Sequence, residues 1–236
     1  MQRSSRAAAQ ATYDPKCRRC ARLVRFRARA RAANPHYWAR PVPSFGASEP
    51  RIVIVGLAPG MHGANRTGRP FTGDHAGILL YRTLYDAGLS SAPASVSAED
   101  GLTLMNARIV NSVKCVPPQN KPLPGEIRCC NGYLAAELRQ LPSARVYLTL
   151  GRVAHDALLM ARGLRRPEYP FAHGRERRLE GGEYMLDSYH CSRYNTATGR
   201  LTTQMFRTVV ARACELAGLP VAEALRRPAA GRVDRS

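Results

Sequence analysis

The chain has 236 residues, with 36 Lys and Arg against 17 Asp and Glu, a net charge of +19 and a pI near 10.5. Most of that excess is arginine, which forks onto phosphate and stacks on bases, so a polyanionic partner is expected. No apolar run is long enough to span a bilayer, and the basic opening MQRSSRAAAQAT lacks the apolar core of a secretion signal, so the expectation is a soluble cytoplasmic protein with no membrane partner.

No Pro/Ser/Gly-rich linker divides the chain, and one core can hold a sequence of this length. The expected organisation is a flexible start over 1–12, one domain over 13–219 and a disordered basic tail over 220–236. A monomer is the expected state.

Taken in chain order, KCRRCARLVRFRARARAANP (16–35) reads as a short basic helix that places Arg18, Arg22, Arg25 and Arg29 on one face, a stripe suited to phosphate. RIVIVGL (51–57) is a buried strand. The loop after it, 58–76, carries HGANRTGRPFTGDHAG and delays the next helix, GILLYRTLYDAGL (77–89). ARIVNSVK (107–114) is a second strand, followed by KCVPPQNKPLPGE with Asn120 at its apex and by a helix over 125–141. ARVYLTLG (144–151) and GEYMLDSYH (182–190) are two more strands, followed by helices over 153–164 and 201–219.

Strands alternating with helices argue for an α/β fold, a single three-layer domain with a central four-stranded parallel sheet between helices. Its post-strand loops then gather at one edge, where open α/β sheets bind ligands. The 58–76 loop offers glycines for close backbone approach, Arg66 and Arg69 for phosphate, and Asp74, His62 and His75 for acid-base work. In SYHCSRYNTATGRLT (188–202), His190 meets the strand edge, and Ser192, Arg193, Asn195, Thr196 and Thr198 form a polar stretch able to hold a phosphate.

Seven cysteines in a reducing compartment suggest thiols or metal ligands rather than disulfides. Cys17 and Cys20 form a C-x-x-C pair. Cys115, together with Cys129 or Cys130 on the next helix, could complete four ligands, and Cys130 is the preferred choice. Spacing alone leaves zinc and iron-sulfur both open. Cys191 and Cys214 stay outside the set.

GLAPGMHGANRTGRPFTGDHAG, NSVKCVPPQNKP and YHCSRYNTATGRLT, with the cysteine pattern, resemble the uracil-DNA glycosylase superfamily, and most closely its family 5 iron-sulfur enzymes of bacteria and archaea. The resemblance covers roughly 13–219. It implies a [4Fe-4S] cluster on Cys17, Cys20, Cys115 and Cys130, and excision of uracil and other deaminated bases, such as hypoxanthine, from DNA in base excision repair. Asp74 and His190 are then the catalytic pair. Gly56, Leu57, Ala58, Phe71 and Asn120 hold the flipped base, with Phe71 stacking on it and His190 donating to its O2. His62, Asn65, Arg66, Arg69, Ser192, Arg193 and Asn195 become DNA contacts.

Two departures from the family pattern stand out: Cys191 where a proline usually follows the histidine, and no threonine cap in KPLPGEI. A zinc deaminase would need H-x-E and P-C-x-x-C, and an NTPase a G-x-x-x-x-G-K; the chain has neither set. The remaining alternative is a non-enzymatic iron-sulfur DNA-binding or redox module.

Overall fold

Four short apolar runs lie side by side through the middle of the molecule. The computed structural model describes residues 11–226, so the readings made for 1–10 and 227–236 fall outside the described residues. The central strands are β2 (Ile52–Gly56), β3 (Ala107–Asn111), β4 (Val146–Leu150) and β6 (Tyr184–Ser188), all parallel in the spatial order β3-β2-β4-β6. Ile52 pairs with Ala107 and Gly56 with Asn111, so the ends of β2 and β3 are level at the carboxyl edge.

The sheet has six strands, not four. β1 (Phe45–Gly46) joins antiparallel to β3, and β5 (Glu176–Arg178) antiparallel to β6. Runs of two and three residues carry no readable alternation, so only pairing with an existing edge defines them.

Every residue of β2 and β4 is buried, and alternate side chains feed two cores. Ile52, Ile54 and Leu148 pack with Leu80 and Leu84 of α3 (His75–Asp86) and with Phe206, Val209 and Val210 of α7 (Thr203–Leu216). Val53, Val55 and Tyr147 pack with Leu134 and Leu138 of α4 (Pro124–Arg139) and Leu158 of α5 (Arg152–Arg162). Each fully buried aliphatic side chain contributes about 1.5–3 kcal/mol, so both helical layers are held chiefly by these stripes.

α1 (Ala21–Ala33) docks separately, through Leu23 against Val113, Cys115, Cys130 and Tyr133. Its arginine stripe is not wholly free for phosphate. Arg22 Nε and Nη2 grip the Glu126 carboxylate at 2.8 and 2.7 Å, while Glu126 accepts from the Leu123 N–H at 2.8 Å. Glu126 thus supplies the carboxylate half of a capping box, Leu123 has no side-chain oxygen for the half a threonine would supply, and the Arg22 ion pair holds the Glu126 carboxyl below its usual range.

The tail expectation needs one correction. α8 (Glu223–Arg226) follows α7, and Leu225 is buried in the main core.

Candidate active site

The chain leaves β2 at Gly56 and builds the short helix α2 (Ala64–Thr67) inside the 58–76 loop before α3 begins. Asp74 is the N-cap of α3: its Oδ1 accepts from the Gly77 N–H at 3.0 Å, which satisfies one of the orphan donors of the helix and fixes the carboxylate. A Cβ on Gly63 would collide with that carboxylate, and one on Gly60 would press on Oδ2 at 3.3 Å. Burial raises the Asp74 pKa, outweighing the Gly77 and Ala76 N–H groups and His75.

Phe71 is buried in left-handed backbone at φ 54°. A Cβ on Gly56 would stand 2.7 Å from its ring and 2.6 Å from Asn111 Oδ1, so the floor of the site exists because position 56 has no side chain. The His190 ring stacks on Phe71, with centroids 5.8 Å apart and planes at 30°. Burial pushes the His190 pKa down to about 4, so the imidazole is neutral at neutral pH.

These groups open on one cavity of about 640 Å³ whose lining includes Leu57, Ala58, His62, Phe71, Asp74, Asn111, Asn120, His190, Ser192 and Arg193. Three of the post-strand loops, 58–76, 115–124 and 190–200, meet at this cavity. Asn120 lies at the exposed rim in left-handed backbone, φ 57°, at the end of a short 3-10 turn (Pro118–Asn120). Asn111 was missed. It ends β3, is 3 % exposed and lines the cavity with a buried Oδ1 that has no hydrogen-bond partner. The available signal was an asparagine at the carboxyl end of a buried strand, where a polar side chain needs a partner.

Two DNA-contact expectations, at Arg69 and Asn65, are corrected, and Asn195 and Ser192 have structural partners as well. Arg69 is 5 % exposed, binds Asp100 at 2.5 Å, Ser95 Oγ at 3.0 Å and the Ala98 carbonyl at 2.6 Å, and lies over the Phe45 ring: it fastens the 95–100 loop and is not open to phosphate. Asn65 is fully buried under Met61. Asn195, in α6 (Arg193–Ala197), donates from Nδ2 to the His190 carbonyl at 2.8 Å, so it positions the histidine. Ser192 is the N-cap of α6 and its Oγ accepts from the Asn195 N–H at 3.4 Å, though it still borders the cavity. His62 and Arg66 are exposed, so both remain open to a phosphate.

Cys191 is fully buried in the main core. Where a proline would stiffen this loop through its backbone, burial of the thiol pins it instead. Cys214 is an ordinary buried residue of α7, as expected.

Behind the base cavity, Cys17, Cys20, Cys115, Cys129 and Cys130 surround a second void, walled by the apolar Leu23, Val24 and Val113. All five are free thiols. Among the described residues, no three His, Cys, Asp or Glu side chains gather so as to share one metal ion. A single zinc would need sulfurs at 2.3 Å from one centre, hence about 3.8 Å apart. Burial pushes the Cys20 and Cys115 thiols up to about 12, so they become thiolates only with a cation beside them. Cys130 Sγ already accepts from the Lys114 N–H at 3.3 Å, and Cys130 shares its cluster with Cys115, Cys17 and Cys20.

Residues 43–213 match the family model described as the uracil DNA glycosylase superfamily. The chain is 52 % identical over 209 residues to the type-5 uracil-DNA glycosylase of Thermus thermophilus, covering 86 % of this chain and 94 % of that one. It is 44 % identical over 211 residues to the type-5 enzyme of Mycobacterium bovis, covering 86 % and 79 %. The type-5 enzyme of Pyrobaculum aerophilum is 40 % identical over 206 residues, covering 86 % and 89 %.

Proposed function

The chain belongs to the uracil-DNA glycosylase superfamily, among its type-5 enzymes, and from that premise we propose how its residues release a base from DNA. It is a DNA N-glycosylase of base excision repair that hydrolyses the bond between uracil and deoxyribose and leaves an abasic site. The observation that carries the residue roles is the single cavity in which Asp74, Asn111, His190 and Phe71 meet at the carboxyl edge of the parallel sheet.

Breaking the C–N bond leaves an oxocarbenium-like sugar and a base anion. Asp74, fixed by the Gly77 N–H, supplies negative charge on the sugar side or orients the attacking water. Neutral His190 donates an N–H to the base oxygen as charge develops there; with a pKa near 4 it acts as a hydrogen-bond donor and not as an imidazolium. Phe71 takes the face of the extruded base. Asn111 carries a donor and an acceptor in one plane, which matches a pyrimidine edge, and its partnerless Oδ1 would gain a bond only when a base is present. This moves base reading from Asn120 to Asn111 and leaves Asn120 at the mouth. Leu57 sets an apolar side chain in the wall of the pocket, which favours a wider range of deaminated bases, hypoxanthine among them.

The cysteine void fits a [4Fe-4S] cluster held by Cys17, Cys20, Cys115 and Cys130, since thiols ringing an apolar void suit a cluster with a thiolate at each corner. Such a cluster would supply a structural tie between α1 and the loop after β3. Asn111 and Cys115 lie four residues apart on that loop, so the same tie steadies the base-reading side chain. Analysis of anaerobically purified protein should give iron and sulfide near four each per chain; zinc alone would remove the cluster and leave the base pocket as described.

The test of function uses matched duplexes carrying one uracil, one hypoxanthine or a normal base, with alkali cleavage of abasic sites. Release from the uracil duplex, abolished in Asp74→Asn, is the expected result. Binding without release from any duplex would favour a non-enzymatic DNA-binding module.

A further inference from the structure

A second cavity of about 570 Å³ adjoins the base pocket across His62 and Arg66. Its walls are Arg31 at the end of α1, the His36, Tyr37, Trp38 and Arg40 segment that follows, Arg66 and Thr67 of α2, and the 96–99 loop. The connection is direct. Tyr37 Oη is 2.9 Å from His62 Nδ1, the two rings meet edge to face, and Arg66 Nε donates to the His62 carbonyl at 2.8 Å. His62 itself lines the base pocket.

The aromatic floor is anchored from several sides. The Trp38 N–H donates to the Arg66 carbonyl at 3.0 Å, Nε1 donates to the Pro41 carbonyl at 2.9 Å, and the indole lies over the backbone of Gly68. The Arg40 guanidinium sits 5.7 Å from the Trp38 ring centre. Arg31, Arg40 and Arg66 are all exposed and form no ion pair among the described residues, while Glu99 is the one acid in the lining. Arginines around a fixed aromatic surface are the chemistry that takes a phosphodiester and an unstacked base together.

We propose that this cavity binds an unstacked nucleotide of the target strand, adjacent to the extruded one, with its phosphate on Arg40, Arg31 or Arg66 and its base against Tyr37 and Trp38. This rests on the glycosylase reading of the neighbouring pocket and adds a second subsite to it. Extruding one nucleotide interrupts stacking on both sides of it, so a platform one wall away would hold the neighbour that has lost its stack. An enzyme with such a subsite grips a distorted or single-stranded flank more tightly than a regular duplex.

Trp38 is the sole tryptophan of the chain, so intrinsic emission reports on this cavity directly. The experiment titrates the full-length protein with a duplex bearing a stable abasic-site analogue, and with two duplexes whose lesion strand stops at the lesion on its 5′ or its 3′ side. The intact duplex should quench Trp38 emission. One of the two truncations should abolish most of the quenching and weaken binding roughly tenfold, the loss of one stacked base. In Tyr37→Ala or Arg40→Ala that same truncation should cost nothing further, because the partner of the missing nucleotide is already gone. Unchanged quenching and affinity on both truncations, or variants that lose as much as the wild type, would overturn the subsite. Base release from a full-length uracil duplex is measured on the same wild-type preparation. Release with a flat truncation series sinks only this inference, whereas absence of release sinks the glycosylase reading beneath it.

Discussion

His155 and His190 both stand near the carboxyl end of β6, one held against Asp187 inside the strand and the other two residues beyond its end. His155 has both ring nitrogens engaged, Nδ1 with Asp187 Oδ1 and Nε2 with the Tyr169 carbonyl, each at 2.8 Å. Thr149 donates to the same carboxylate at 2.6 Å. Around the His190 ring no hydrogen bond is made among the described residues, and nearby Asn111 Oδ1 is equally without a partner. Burial works against charge on both histidines. Beside Asp187 that penalty is outweighed and the His155 pKa is raised, while at His190 nothing opposes it. Asp187 keeps one oxygen, Oδ2, without a partner but lies away from the cavity, whereas His190 and Asn111 line it: a buried polar group is free to meet a ligand when it is both open and at a cavity wall.

The sharpest way to break this contrast is Asp74→Asn. Asparagine caps a helix about as well as aspartate, so the melting temperature should stay within about 2 °C, while single-turnover base release falls about 10²- to 10⁴-fold. A variant retaining near wild-type rate would remove Asp74 from the chemistry.

The opposite pattern is expected at the closed pair. His155→Ala leaves the Asp187 carboxylate buried beside an empty space, at a cost of about 3–5 kcal/mol, or roughly 6–20 °C in melting temperature for a chain of this size. Calorimetry that shows no loss would mean the pair is not the structural knot inferred here.

Asn111→Ala should separate the two regions again with a smaller effect. Its Oδ1 bonds to nothing in the free protein, so stability changes little, while release of uracil falls about ten- to a hundredfold. A large fall in stability with activity intact would make Asn111 a packing residue.

The smallest effects are in pH dependence, where the two histidines differ in sign. The raised His155 adds stability that is full below its unfolded value near 6.5 and is lost as pH climbs through its folded pKa. The depressed His190 instead costs stability as pH falls from about 6.5 toward 4, because the unfolded chain takes up a proton that the folded one refuses. His190→Asn should therefore gain on the wild type in denaturant midpoint between pH 6.5 and 4.5. A gap that stays constant with pH would contradict the depressed pKa. The raised Asp74 predicts, in the same spirit, that activity is lost on acidification at a higher pH than an ordinary aspartate would allow.

The four central strands and the five longer helices were legible because each carries a periodic apolar pattern, and Asp74 and His190 as candidates because their loops are long, glycine-rich or polar, while Phe71 was implied only by the family resemblance. Less legible was which polar residues face inward. Arg69 and Arg66 stand three residues apart in one basic loop, yet one is closed on Asp100 and the other is exposed. Asn120 and Asn111 lie in one strand-loop segment, and the family resemblance points to the apex while the buried strand end carries the open oxygen.

By itself the sequence determined the α/β order, the edge at which the loops gather and the thiols available for a cluster. Those depend on local periodicity, turn chemistry and residue spacing, which survive in a linear string. The tertiary structure alone decided that Arg22 serves a helix cap, that Asn195 holds His190, that Asn111 faces the base pocket and that Trp38 floors a second cavity beside it. Whether a polar side chain is satisfied or open depends on what packing brings within about 3 Å of it, and those partners come from segments far apart in the chain.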